Sequence, residues 1–587
     1  MKKKNITAMI LATTMLLTAC GAENTMPAAT ESPAQSVTEY YEESPASVYE
    51  EPAAEAVMPE KNMVADAEVE SYKDSNSRYG DVFLSDDPSI YSRDYGEEYT
   101  EYAEKGFVSP VNQPLSTFAA DVDTASYSNF RRMVNEGFSI EEFPAGAIRT
   151  EEMVNYFKFN YAKPQDKVPF GVTAKVAKCP WNEESCLMTL GITTNDMDAK
   201  DIPSSNIVFL IDTSGSMMAD NKLPLIKNAM TLLCEQFGKD DTISIVTYAN
   251  GINTVLEGMP GNKDRKIINA FSGLSASGGT YGEGGIERAY ELAEEYFIKG
   301  GVNRVILCTD GDFNIGACTG TELENLISEK KDSGIYLSVL GFGMGNLSDS
   351  TLETLADCGN GNYAYIDTLL EAKKVLIDEM TSTLVTVAKD VKFQVEFNPA
   401  TVSAYRMVGY ENRELAERDF RDDSKDGGEI GSGRCITIMY EFFPVDNKER
   451  NLRYQKSEDV KVEGNTDEYC LLSVAYKNPN ALTPDTKDAK SAYISYPISV
   501  EHYMDKPDDD YKFASMVAMT SLALKDSDFL SDYTTYRGCD RYAAIEYAYN
   551  ELKNLKLDDE YKEEFVDMLD ELLQRGISSN YSYRFCD

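Results

Sequence analysis

The sequence predicts an α/β fold. A central, doubly wound and mostly parallel sheet is flanked by a small N-terminal α+β unit and a C-terminal β-rich plus helical unit. Three observations predict this. Apolar runs at 207–211, 242–249, 302–309, 336–341 and 363–366 read as buried strands. Helical patterns at 223–237, 284–297, 322–331 and 352–357 alternate with them, as crossovers between parallel strands require. The runs ending at Ile211 and Thr309 each deliver an aspartate, Asp212 and Asp310, where ligands of open α/β sheets bind. Residues 254–256 read as an antiparallel edge strand, and a last helix is expected over 369–384.

The flanks follow the same logic. Before the centre, a strand is expected over 115–120 and helices over 127–136 and 150–156. Asp123 or Thr124 caps the first helix, and Glu151 and Glu152 stand in the first turn of the second. Strands at 170–178 and 185–192 then form a small β unit leading into the centre. Beyond it, strands are expected at 391–397, 435–442, 469–476 and 492–500, then helices at 511–523, 540–552 and 560–574. The expected organisation is 1–20 signal, 21–110 disordered acidic tether, 111–203 N-terminal flank, 204–387 central domain and 388–587 C-terminal flank.

The first twenty residues carry export information. Met1-Lys2-Lys3-Lys4, a short apolar core and small residues before a cut site describe a secretory signal. Leu17-Thr18-Ala19-Cys20 resembles the bacterial lipobox, which implies cleavage before Cys20 and lipidation of its thiol. No later stretch is long and apolar enough to span a bilayer. The expected localisation is therefore exported, with a membrane lipid anchor, facing the cell surface or the periplasm.

Composition removes several chemistries. A net charge of −43 opposes nucleic-acid binding, because backbone phosphates would be repelled. The one histidine, His502, rules out multi-histidine metal sites and has no nucleophile motif around it, so no enzyme is expected. Export permits disulfides among the cysteines that remain of the 11 once Cys20 is set aside. Cys179 with Cys186 across a hairpin, Cys318 with Cys358, Cys435 with Cys470, and Cys539 with Cys586 are possible pairs, while Cys234 and Cys308 read as buried thiols.

The candidate site is Asp212-Thr213-Ser214-Gly215-Ser216, with Thr280 on the glycine loop Ser277-Gly278-Gly279-Thr280 and Asp310 on the third loop. One carboxylate and two hydroxyls on a tight turn make a hard-oxygen set, suited to Mg²⁺ or alternatively Mn²⁺ or Ca²⁺. Strand-to-helix turns capped by Asp, Ser and Thr are the structural alternative. Asp312 reads as a cap of the turn after Asp310, with a supporting place behind the site as the alternative. Asp121-Val122-Asp123-Thr124-Ala125 mimics an aspartate-nucleophile phosphatase motif but follows a weakly apolar strand. Asp422–Gly428 lacks the glutamate of a calcium loop and reads as a polar hairpin.

The D-x-S-x-S, Thr280 and Asp310 resemble the metal-ion-dependent adhesion site of von Willebrand factor A domains. The flanks resemble bacterial YfbK-type lipoproteins, on the stretches Pro114–Tyr127, Arg149–Phe157, Ala388–Val391 and Arg406–Arg413. The resemblance implies that Ser214, Ser216 and Thr280 bind the ion directly and that Asp212 and Asp310 act directly or through water. It also implies a lipid-anchored protein that binds a protein ligand, which supplies an acidic residue to the metal. The alternative is an assembly factor whose contacts are made by the flanks.

Overall fold

In the computed structural model the described residues are 99 and 101–583, apart from 121–122, 166–167, 198–201, 280–282, 312–319, 344–348, 381, 383–384, 426, 446–466, 479–489, 536–537 and 558. Cys20, Asp121, Thr280, Asp312, Cys318 and Cys586 lie outside them. No helix among the described residues is long and apolar enough to cross a membrane.

The N-terminal flank contributes β1 (Leu115–Ala119), α1 (Ala125–Asn135), α2 (Thr150–Asn155), β2 (Gly171–Cys179) and β3 (Asn182–Thr193). The centre follows with β4 (Ser205–Asp212), α3 (Leu223–Leu233), β5 (Thr242–Tyr248), β6 (Ile252–Pro260), α4 (Asp264–Ser272), α5 (Glu283–Glu295) and β7 (Val302–Thr309). It continues with α6 (Gly320–Asp332), β8 (Tyr336–Phe342), α7 (Asp349–Cys358), β9 (Tyr363–Ile366) and α8 (Leu369–Lys373). The C-terminal flank holds β10 (Thr386–Phe397), β11 (Val402–Met407), β12 (Ile430–Gly431), β13 (Cys435–Pro444), β14 (Glu468–Lys477), β15 (Ala492–Ser499), α9 (Asp509–Leu524), α10 (Arg541–Leu552) and α11 (Glu560–Tyr583).

The central sheet has the order β6-β5-β4-β7-β8-β9, with only β6 antiparallel. Its two inner strands, β4 and β7, are buried at every position, as expected of strands covered on both faces. One face packs Ile207, Phe209 and Ile211 against α3 and α4. The other packs Val208, Leu210, Val305 and Leu307 against α5, α6 and α7. Alternation along β4 thus feeds two separate cores.

The flanks depart from the expected plan. β2 and β3 do not form a separate unit before the centre: β3 pairs with β13 in a sheet ordered β11-β13-β3-β2. β1 pairs with β10 in a second sheet ordered β1-β10-β14-β15. The two sheets share an apolar core that includes Phe118, Leu190, Phe393, Ile438 and Leu472. Val108 already bridges Tyr405. The chain before the central sheet and the chain after it therefore complete each other's sheets, which covers the edges each would otherwise expose.

Three further expectations are corrected. The last central helix is not continuous over 369–384: α8 gives way to a π-helical turn at Lys374–Asp378. There the buried Lys374 turns in to Glu379 and lies over the Tyr156 ring at 4.3 Å. Cys179 and Cys186 are free buried thiols. Lys178, not Cys179, stands opposite Cys186, so the two thiols fall on opposite faces and enter different cores. Cys435 and Cys470 are likewise free, on strands of different sheets. Finally, Thr124 is the N-cap residue of α1 but does not cap it with its side chain. The Glu152 carboxylate, from α2, takes the Ser126 amide at 3.0 Å and its hydroxyl at 2.8 Å.

Glu152 is held charged by Arg149 and Ser126, which lower its pKa against the cost of burial. Its neighbour Glu151 is buried with Oε2 lacking a hydrogen bond. Desolvation, reinforced by Glu411 and Glu152, raises the Glu151 carboxyl from 4.5 to about 7. A raised folded pKa gives stability that is complete below the unfolded value and is lost as pH rises through the folded one. Glu151→Gln is therefore expected to match wild type near pH 4 and to exceed its stability at pH 8 by about 2–3 kcal/mol, in urea melts at the two pH values.

Candidate metal site

β4 and β7 are adjacent and parallel, with Ile211 opposite Cys308, so both strand ends open on the same edge of the sheet. Asp212 ends β4 and Asp310 follows β7, and both are fully buried. Asp212 Oδ1 accepts the Ser214 amide at 2.7 Å, which folds the loop back over the strand end. A short 3₁₀ turn, Gly215–Met218, follows. Ser214 is its N-cap residue but makes no side-chain cap, so the ordinary capping role is not what its hydroxyl does. Ser214 Oγ instead lies 2.9 Å from Ser216 Oγ. Ser214 is buried and Ser216 is exposed, so the pair runs from the carboxylates to solvent.

The second loop is tied to the first. The Gly215 amide donates to the Gly278 carbonyl at 2.9 Å, and the Ser277 amide to the Thr213 carbonyl at 2.8 Å. Gly278 has φ of +88°, and a Cβ there would strike the Asn250 side chain, whose Oδ1 receives the Gly279 amide at 2.7 Å. The segment leading into Thr280 is thus stitched beside the serine turn, although Thr280 itself is outside the described residues.

The electrostatics suit a cation. Burial pushes Asp212 up to about 6, with the Asp310 charge adding to it and hydrogen bonds from Ser214 and the Tyr248 hydroxyl opposing. Among the described residues, Asp310 Oδ1 is buried without a hydrogen-bond partner, and Asp212 Oδ2 has none of good geometry. A buried carboxylate oxygen that accepts no hydrogen bond is costly, so acceptors left open in this way fit a bound hard cation. The oxygen side chains of Asp212, Ser214, Ser216 and Asp310 are the donor type that Mg²⁺, Mn²⁺ or Ca²⁺ takes.

One member of the site is not evident from the motif. Lys222, at the start of α3, donates from Nζ to Asp310 Oδ2 at 2.8 Å in a buried ion pair. The available signal was a lysine beside Leu223-Pro224, too ordinary a helix start to announce a buried partner. Asp123, from the phosphatase-like stretch, is engaged elsewhere: it pairs with Arg413 and accepts the Tyr363 amide. His502 bonds only its own turn at Ser499, and Asp422 accepts the Ser424 amide and hydroxyl in an exposed turn.

Three family models match the chain. Residues 206–379 match the model of the von Willebrand factor type A domain, and 93–189 match a second model described as von Willebrand factor. Residues 382–574 match the model of the C-terminal region of uncharacterized protein YfbK. Uncharacterized protein YfbK of Escherichia coli (strain K12) is 38% identical over 489 residues, covering 80% of this chain and 82% of that one. The chain belongs to the YfbK family. Inter alpha-trypsin inhibitor heavy chain 4 of Mus musculus is 28% identical over 170 residues, which are 27% of this chain and 18% of that one. A solved von Willebrand factor type A structure from Catenulispora acidiphila covers 70% of this chain and 91% of its own at 14% identity, with a TM-score of 0.37. The central sheet of this YfbK-family chain is thus a von Willebrand factor type A domain, a domain type commonly involved in protein–protein interaction and adhesion.

Proposed function

We propose that this chain is a lipid-anchored envelope protein that binds a protein ligand through a divalent cation held by Asp212, Ser214, Ser216, Thr280 and Asp310. The observation that carries the reading is the pair of buried carboxylates at adjacent strand ends, each with an oxygen left open, beside two hydroxyls that lead to solvent. When bound, the ion offers an open coordination position to an acidic side chain of the partner. The chain's own residues do the rest. The Ser214 amide fixes Asp212, and the Gly215–Gly278 bond keeps the second loop in register with the first. Cys20 supplies the membrane anchor, and the acidic segment after it holds the folded part away from the lipid surface.

The test is capture of envelope proteins on the full chain in Mg²⁺, in EDTA, and with Ser216→Ala in Mg²⁺. Ser216 is exposed, so its replacement leaves the core intact. A partner retained only by wild type in Mg²⁺, with at least about tenfold loss in the other two lanes, is the expected result. The same partner in all three lanes would move the contact to the flanks and favour an assembly role.

A further inference from the structure

The lysine at the metal corner is built in rather than incidental. Its stem crosses the backbone at Gly343, after β8, where φ is +78° and a Cβ would overlap Lys222 Cγ, Cδ and Cε. The Tyr365 hydroxyl holds the Gly343 carbonyl at 2.6 Å, which fixes the surface the stem lies on. The side chain is buried, and its ammonium meets Asp310 Oδ2, leaving Oδ1 as the open oxygen. Glycine with positive φ, a pinned carbonyl and a buried ion pair together place one ammonium beside the two carboxylates.

We propose that Lys222 is a resident counter-cation that sets the charge of the site and so its preference for an anionic ligand. This rests on the metal-binding reading above. Asp212 and Asp310 bring two negative charges and Lys222 one positive, so a divalent ion leaves the loaded corner with a net positive charge. An incoming carboxylate then neutralises it. Without Lys222 the loaded corner is already neutral, and a carboxylate would make it negative. The same charge opposes the ion, so Lys222 weakens cation binding while strengthening the anion's hold. Between the two it also pins Asp310 in one orientation, with a single oxygen free.

The test is a Mn²⁺ titration of the full chain by electron paramagnetic resonance, for wild type and Lys222→Met, followed by acetate titration of the Mn²⁺-loaded proteins by water-proton relaxation. Lys222→Met is expected to bind Mn²⁺ about tenfold more tightly and to need about tenfold more acetate for the same displacement of bound water. If Lys222→Met fails to fold, Lys222→Gln, which is neutral but polar, takes its place in both titrations. Unchanged Mn²⁺ affinity, or tighter Mn²⁺ with an unchanged acetate response, overturns the assignment. If neither wild type nor variant binds Mn²⁺, the metal-site reading itself falls and this inference with it.

Discussion

Asp310→Ala is expected to abolish divalent-cation binding and to lower stability by about 3–5 kcal/mol, the usual cost of removing one partner from a buried ion pair. Both effects come from one carboxylate. Its Oδ1 is the open oxygen at the metal corner, and its Oδ2 is the partner of the buried Lys222 ammonium. The two effects separate in a double variant. Asp310→Ala with Lys222→Met removes the stranded charge as well, so most of the stability returns while cation binding does not. Urea unfolding in EDTA measures the first effect, and the shift of the midpoint on adding Mn²⁺ measures the second. A double variant no more stable than Asp310→Ala alone would show that the ion pair is not what couples them.

Arg131→Met is expected to cost as much or more, about 3–5 kcal/mol or outright loss of cooperative folding. Arg131 on α1 is 1% exposed and holds Asp367 and Glu371 from the centre together with Glu564 from α11. The Tyr156 hydroxyl completes the cluster, donating to Glu371 at 2.7 Å. One guanidinium therefore joins the N-terminal flank, the end of the central domain and the last helix. Its loss leaves buried carboxylates unneutralised beside α8. Burial already raises the Glu371 pKa, and Arg131 and Lys374 are the charges that oppose the rise. The deficit should accordingly shrink as pH falls and the acids protonate, which a comparison of urea melts at pH 5 and pH 8 would detect. An equal deficit at both values would assign the loss to packing instead.

The central sheet was legible because buried parallel strands are continuous apolar runs. β4 and β7 could be read from residues 207–211 and 302–309 almost to the residue. The site was legible for the same reason, since a strand end fixes where its next residues point. α4 could be given no bounds, because Asp264–Ser272 is a short surface helix with only Ile267 and Phe271 buried. The exchange of strands between the flanks left no local trace. β1 meets β10 and β3 meets β13 across the whole intervening domain, and a strand's own residues do not name the strand it pairs with. Lys222 escaped notice because a buried cation is defined by what surrounds it, here Gly343 and Asp310, not by its own neighbours in the chain.

The most direct test of the central claim is the number of Mn²⁺ ions held by the full chain, measured by electron paramagnetic resonance. Wild type is compared with the stable double variant Asp310→Ala, Lys222→Met. The account predicts about one tightly held ion per wild-type chain and none in the double variant. The same tightly held ion in both would contradict it, because the ion would then sit somewhere other than the corner formed by Asp212, Ser214, Ser216 and Asp310.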